Sequence, residues 1–146
     1  MKARLCILAL LAASALHADE PQCAQILGTV HQTRSAWNPF DPANDMAPGP
    51  DGTFTREFEL TTTGGRNRDG IYSVRFVKDR ELSGTCKRGS SAGKLVTGPD
   101  ATRAGNIHFQ VKKNGAHTFT FDPKNLAYSI SPDVREIETI SSLQIN

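Results

Sequence analysis

The single tryptophan of this chain, Trp37, lies in a proline-punctuated stretch from 36 to 46 that reads AWNPFDPANDM. An indole held in a surface loop can stack on the apolar face of a sugar ring while polar neighbours bond the hydroxyl groups. The alternative is that the indole packs at the mouth of the hydrophobic core. Position along the chain favours neither interpretation, but loops that are held by strands are where binding residues concentrate.

The glycine-rich stretch from 89 to 95, GSSAGKL, contains two patterns that accompany catalysis or phosphate binding in other proteins. A phosphate-binding loop needs four residues between its glycines and a hydroxyl residue after the lysine. Here three residues separate the glycines, and Leu95 follows the lysine. The Ser-x-x-Lys pattern that begins at Ser91 needs a helix, which the neighbouring glycines disfavour. We therefore predict a flexible loop and no catalytic residue.

The histidines and acidic residues form no metal-ligand pattern. His31, His108 and His117 show no His-x-x-x-His spacing, and no suitable cysteine or carboxylate accompanies them. Three aspartates between positions 41 and 51 share one loop, but their spacing is not that of a calcium-binding loop. We expect structural histidines, no metal site and no cofactor.

The N-terminal segment is typical of a secretory signal peptide. Lys2 and Arg4 precede an apolar run from 5 to 16, and Ala18 provides a small residue at the predicted cleavage point. Residues 1–18 are expected to be removed, which leaves residues 19–146 as one exported domain, periplasmic or secreted. The apolar run is too short to span a bilayer, so no membrane insertion is expected.

The charge of the chain disfavours a nucleic-acid partner. The full sequence has 17 basic and 15 acidic residues, a formal charge of +2. Two of the basic residues lie in the predicted signal peptide, so the exported domain is close to neutral. Nucleic-acid binding requires a concentrated basic surface, so no such partner is expected.

Two cysteines remain in the exported part, Cys23 and Cys86. An even pair in an exported chain predicts a disulfide. The bridge would tie the N-terminus to the middle of the domain and stabilise the fold by roughly 4 kcal/mol. A redox-active pair would need much closer spacing, so we predict a structural bridge.

From position 26 onward, apolar residues recur at every second position, which predicts strands rather than helices. The dipeptide at 114–115, Asn-Gly, favours a hairpin turn, and the segment 122–125 favours the turn between the last two clear strands. Two long connections, 31–52 and 79–104, are predicted to be loops. The six clear strand segments and one weaker final segment are 26–30, 53–60, 72–77, 106–111, 119–121, 126–130 and 137–145. This pattern predicts an all-β fold of one domain, built as a two-sheet antiparallel sandwich.

Two stretches also carry a family resemblance. One runs from 28 to 46 and includes GTV, WNP and DPANDM, and the other runs from 105 to 124 and includes GNIHFQV and TFTFDPK. They resemble the immunoglobulin-like starch-binding modules appended to pullulanases and, more distantly, the glycogen-binding modules of branching enzymes and AMP-activated kinase. The resemblance spans 26–131 and implies a single immunoglobulin-like antiparallel β-sandwich that binds an α-glucan.

The resemblance also implies binding residues. In this family the glucan lies against two aromatic platforms and is helped by a basic side chain and an asparagine. By position, Trp37 matches the first platform with Asn38 beside it, Arg75 replaces the usual lysine, and Asn106 matches the polar residue. The second tryptophan usually follows the strand that contains the basic residue, but the segment 78–86 has no aromatic residue.

The leading hypothesis is therefore an exported, non-catalytic carbohydrate-binding protein whose partner is a polysaccharide or oligosaccharide, with an α-glucan as the first candidate. The alternative is an envelope or secreted protein-interaction module that keeps the sandwich without sugar binding. Such a module would meet its protein partner through the segments 31–52 and 79–104 or through an edge strand. A third hypothesis, a small hydrolase, has no supporting sequence pattern.

Overall fold

The computed structural model describes residues 20–132 and 134–137, so the predicted signal peptide and the segment 138–145 lie outside the described residues. The described part contains ten strands, one short α-helix and three 3₁₀ turns. The strands are β1 (Ala24–Gly28), β2 (Ala47–Pro48), β3 (Phe54–Leu60), β4 (Ile71–Lys78), β5 (Thr85–Arg88), β6 (Leu95–Thr97), β7 (Ile107–Gln110), β8 (Gly115–Asp122), β9 (Ala127–Ser131) and β10 (Arg135–Ile137). The helix is α1 (Pro99–Arg103), and the 3₁₀ turns are Pro42–Asn44, Pro50–Gly52 and Leu82–Gly84.

The strands form two antiparallel sheets, which confirms the predicted all-β antiparallel sandwich. The larger sheet has the order β10-β7-β4-β5-β6, with β1 paired to β4, and the smaller sheet has the order β2-β3-β8-β9. Val74 of β4 pairs with β1 and β7, and Phe76 pairs with β1 and β5. β1 therefore lies along one edge of β4, while β7 and β5 share the other edge. β4 is the strand around which the larger sheet is built.

The core lies between the inward faces of the two sheets. Phe76 of β4 stacks on Phe121 of β8 with ring centroids 4.8 Å apart, and Phe109 of β7 meets Phe119 of β8 at 5.5 Å. All four rings are fully buried. Burying a side chain of this size contributes roughly 2–3 kcal/mol. These aromatic contacts join the two sheets because the period-two pattern points the rings of both sheets inward.

Two predicted connections differ from the structure. The segment 79–104 is not a single long loop, because it contains β5, β6 and α1. These elements have three to five residues each and show too few alternations for a periodic signal. The Asn-Gly pair at 114–115 does not close a hairpin, since β7 and β8 belong to different sheets. The predicted turn at 122–125 is confirmed, because it joins the paired strands β8 and β9.

The predicted disulfide between Cys23 and Cys86 is wrong, because both cysteines have free thiols. Cys23 directly precedes β1 on one edge of β4, whereas Cys86 lies in β5 on the other edge. Two strand spacings separate these strands by roughly 10 Å, and a disulfide needs Cα atoms within about 7 Å. Cys86 also shares the inward face with Phe76, while Cys23 has the parity of the outward face. An even number of cysteines in a sequence reports neither the edge nor the face on which each one lies.

Candidate functional site

Trp37 lies over the outward face of the larger sheet, away from the core. Its side chain is 39% exposed, and it belongs to the few large hydrophobic residues on the surface of the described part. The guanidinium carbon of Arg75 lies 5.3 Å from the centre of the indole ring. This is cation–π geometry. The sequence left open whether the indole is held in a surface loop or packs at the mouth of the core. In the structure it is exposed in a surface loop.

The segment 29–46, here called the Trp37 loop, is held by a buried asparagine. Asn44 is fully buried, and its side-chain nitrogen donates to the carbonyl oxygens of Ser35 and Asn38, each at 2.8 Å. These two bonds connect the backbone before and after Trp37 to the same buried side chain. The carboxylate of Asp41 accepts from the hydroxyl of Ser35 and from the backbone N–H of Ala43, and these bonds lower its pKa.

A second set of contacts ties the Trp37 loop to the larger sheet. Arg80, in the turn after β4, donates to the carbonyl oxygen of Pro39 at 3.1 Å and forms an ion pair with Asp45. The side chain of Gln25 in β1 is fully buried and donates to Asp45 at 3.3 Å. Its carbonyl oxygen accepts from the backbone N–H of Arg80 at 2.9 Å. The indole is therefore presented by a loop that is fixed before any ligand arrives, which reduces the entropy cost of binding.

A cleft of about 380 Å³ opens beside Trp37. We call it the first cleft, and its floor is the outward face of β4 and β7. Ser73 of β4 and His108 of β7 form a hydrogen bond there between the hydroxyl oxygen and Nδ1. Burial lowers the pKa of His108, so its imidazole is neutral at neutral pH. The lining residues are Thr29, Trp37, Arg66, Asn67, Asp69, Ile71, Ser73, Asn106 and His108.

Asn106 and Arg75 each contain a buried polar atom without a hydrogen-bond partner. The two atoms are the side-chain oxygen of Asn106 and Nε of Arg75. The register between β4 and β7, in which Val74 faces Ile107, places these two residues beside each other on the outward face. An unsatisfied buried polar group costs about 1–3 kcal/mol, and most such groups in native structures have a partner. Both atoms thus lack a hydrogen-bond partner beneath the surface of the outward face.

Of the four residues predicted to bind a ligand, the structure brings three together: Trp37, Arg75 and Asn106. The fourth, Asn38, does not line the first cleft. Its side-chain oxygen accepts from the backbone N–H of Phe40 at 3.0 Å. This is the local turn that asparagine favours. The side chain of Asn38 is thus used within the Trp37 loop.

Three residues that support the site were not predicted from the sequence. Ser73 has the same parity as Arg75 in β4, and His108 of β7 has the same parity as Asn106, which directly precedes β7, so alternation alone indicates that they share the outward face. Asn44 carries no such signal. Its role depends on a loop conformation that the sequence does not reveal.

A larger cleft of about 630 Å³, the second cleft, lies on the same face of the sheet on the side of β5. Arg75 lines the second cleft, and its guanidinium group contacts the ring of Trp37. The indole and this guanidinium group therefore lie between the two clefts. The lining residues are Arg75, Leu82, Ser83, Thr85, Lys87, Gly98, Pro99, Ala101 and Thr102.

Within residues 20–132 and 134–137, no three His, Cys, Asp or Glu side chains are grouped so that they could hold a metal ion. In the same part of the chain, His108 has no hydrogen bond to a carboxylate, so its bond to Ser73 does not extend to a Ser-His-acid triad. No helix of the described part is long and apolar enough to cross a bilayer.

Comparison of the chain with protein-family models and with curated protein sequences finds no significant match.

Proposed function

We propose that this protein is an exported, non-catalytic carbohydrate-binding protein that holds a glycan at Trp37, with an α-glucan as the first candidate. The observation that carries the proposal is the exposed indole, clamped over the outward face of the sheet beside a polar cleft. Indole faces cover the apolar side of a sugar ring while hydrogen-bonding groups set its orientation. The family resemblance of the stretches 28–46 and 105–124 points to the same ligand class.

The chemistry of the first cleft suits a neutral sugar. Arg75 lies against the ring of Trp37 and holds it from one side, so the sugar stacks on the other side. The hydroxyl of Ser73 and the imidazole of His108 bond to each other, which leaves the pair one donor and one acceptor for the hydroxyl groups of a sugar. The oxygen of Asn106 is buried without a partner, so it accepts a hydroxyl hydrogen when its side chain turns toward the cleft.

Affinity electrophoresis through a gel that contains soluble glycogen tests this proposal. Trp37→Ala is expected to abolish the retardation, because it removes the stacking surface. The matched control is Phe40→Ala, since Phe40 is another exposed aromatic residue of the Trp37 loop, at 67% exposure, and lies outside both clefts. Phe40→Ala is expected to migrate as the unchanged protein does.

Urea denaturation must accompany the gels. Both variants are expected to keep the free energy of unfolding within about 1 kcal/mol of the unchanged protein, as is usual for exposed positions. Equal retardation of Trp37→Ala and the unchanged protein would reject the proposal. Unfolding of Trp37→Ala would show that the indole belongs to the structure and not to a binding platform.

A second candidate function is protein interaction in the cell envelope or the secreted milieu. The observation that favours it is that Phe40 and Leu82, at 67% and 80% exposure, lie in the two segments predicted to be loops. Exposed apolar side chains are enriched at binding surfaces. This function predicts that the unchanged protein is not retarded by glycogen, and that Phe40→Ser and Leu82→Ser weaken capture of a purified partner.

A further inference from the structure

Two cationic side chains share one cleft on the outward face of the larger sheet. The register of β4 and β5 pairs Phe76 with Cys86 and Val77 with Thr85, so Arg75 and Lys87 both have the outward parity. Both residues line the second cleft. The fold thus brings two positive charges to one cleft.

No carboxylate compensates this pair within the described residues. The neighbouring arginines are neutralised, since Arg80 pairs with Asp45 and Arg88 pairs with Glu136 at 3.1 Å. Arg75 contacts the ring of Trp37, and its Nε atom is buried without a partner. The polar lining of the second cleft adds hydroxyl groups and no acidic side chain. An arrangement of two cations and hydroxyls is suited to an anion.

We propose that the second cleft binds the oxyanion of an acidic glycan: a sulfate ester, a phosphate ester or a uronate carboxylate. That the anion is carried by a sugar rests on the function proposed above for Trp37. The planar guanidinium of Arg75 donates to two oxygens of such a group, and Lys87 adds a point charge. The oxyanion lies in the second cleft on a sugar unit that neighbours the one stacked on Trp37, because Arg75 contacts the indole and lines the cleft.

Basic groups also lie on the far side of the indole. A groove of about 770 Å³ runs there between the Trp37 loop and the turn after β3. Arg34, Arg66 and Arg68 line this groove together with Trp37. The positive charges therefore flank the indole on both sides, which fits an extended acidic chain.

Calorimetric titration of the purified exported protein tests the proposal. The probes are sulfated dextran oligomers, oligogalacturonate, phosphorylated maltodextrin and neutral maltoheptaose. At low salt, at least one acidic glycan is expected to bind about tenfold or more tightly than maltoheptaose, and the best of the three identifies the oxyanion. Lys87→Gln is expected to reduce that affinity about tenfold, or about 1.4 kcal/mol, without changing the affinity for maltoheptaose.

The matched control is Lys113→Gln, which removes the same charge from an exposed connection after β7. It is expected to leave all four affinities unchanged. Equal losses with Lys87→Gln and Lys113→Gln would overturn the proposal, because the effect would then come from net charge. Equal affinity for acidic and neutral glycans would also overturn it.

Two further outcomes separate this inference from the function on which it rests. Acidic binding that depends on Lys87, with no binding of maltoheptaose, would support the anion cleft and reject the α-glucan. A single-stranded oligonucleotide that binds more tightly than every acidic glycan would overturn the assignment to a sugar, since aromatic and basic groups together also suit single-stranded nucleic acid.

Discussion

The two faces of β4 carry opposite chemistry. Inward, Val74 and Phe76 are fully buried within the core. Outward, Ser73 bonds to His108, and Arg75 leaves a buried nitrogen without a partner. The inward face is covered by the smaller sheet, whereas the outward face keeps a buried nitrogen without a hydrogen-bond partner. The comparison shows that one strand can fix the fold with every second residue while Ser73 and Arg75 between them remain at the proposed site.

Native proteins keep few buried polar groups without partners, because each of them costs stability. The described residues contain three: those of Arg75 and Asn106 lie on this sheet near the exposed indole, and that of Asn44 lies in the Trp37 loop. Incomplete hydrogen bonding is thus found in the loop that carries the indole and on the sheet beneath it.

The largest difference between the inward and outward faces is expected in the alkylation rates of the two cysteine thiols. Cys86 is fully buried on the inward face and burial raises its pKa, whereas Cys23 lies half-buried before β1. Alkylation of Cys86 requires opening of the core, which for a stable domain slows the reaction on the order of a thousandfold or more. Native alkylation followed by mass spectrometry is expected to give one fast and one very slow site. No alkylation before reduction would instead indicate a disulfide.

Truncation of the inward face is expected to cost the most stability. Phe76→Ala leaves a cavity against Phe121 and is expected to lower the free energy of unfolding by about 3–5 kcal/mol. The adjacent outward substitution, Arg75→Gln, is expected to change it by less than about 1 kcal/mol. Urea denaturation of both variants measures the contrast. A loss of several kcal/mol with Arg75→Gln would show that the outward face is structural.

Loosening the Trp37 loop is expected to have an intermediate effect. Asn44→Ala removes two hydrogen bonds, to the carbonyl oxygens of Ser35 and Asn38, each of which keeps a backbone N–H donor. The loss of two such bonds is expected to cost about 1–3 kcal/mol. It is also expected to weaken retardation in glycogen gels, because the indole is no longer held over the sheet. Asn125→Ala, an exposed asparagine in the turn after β8, is the control. Full retardation with Asn44→Ala would show that binding does not need the clamp.

The smallest expected effect is a pH dependence from the outward face. Burial lowers the pKa of His108 and of His31 below the ordinary value of 6.5. On acidification the unfolded chain therefore takes up protons before the folded protein does. The two neutral histidines therefore contribute fully to the free energy of unfolding above about pH 6.5. This contribution is lost as the pH falls through their lowered pKa values. We expect the urea midpoint to fall between about pH 7.5 and 5.5, and to fall less in His108→Gln. Identical falls in both proteins would contradict this role.

The parts of the structure that repeat with period two could be predicted from the sequence. Strands β3, β4, β7 and β9 lie close to the predicted segments because long alternation reports which residues point inward. The parity of Arg75 and Asn106 followed from the same signal. Short elements such as β5 and β6 could not be found, since three or four residues carry too little periodicity.

Features that depend on the arrangement of distant strands could not be predicted. The cysteines were assigned to a bridge because sequence spacing does not report that β1 and β5 lie on opposite edges of β4. The Asn-Gly pair at 114–115 favours a hairpin locally, but the chain crosses between sheets there. The proximity of Arg75 and Lys87 likewise follows only from the register of β4 and β5.

The most direct test of the account uses the fact that Trp37 is the only tryptophan. Its fluorescence is followed while the purified protein is titrated with maltoheptaose, soluble glycogen and cellohexaose. We predict a saturable change in emission with the α-glucans, because the sugar stacks on the indole, and none with cellohexaose, because the family resemblance implies an α-glucan. An emission spectrum that stays constant with all three glycans would contradict the proposed binding of a neutral glycan at Trp37.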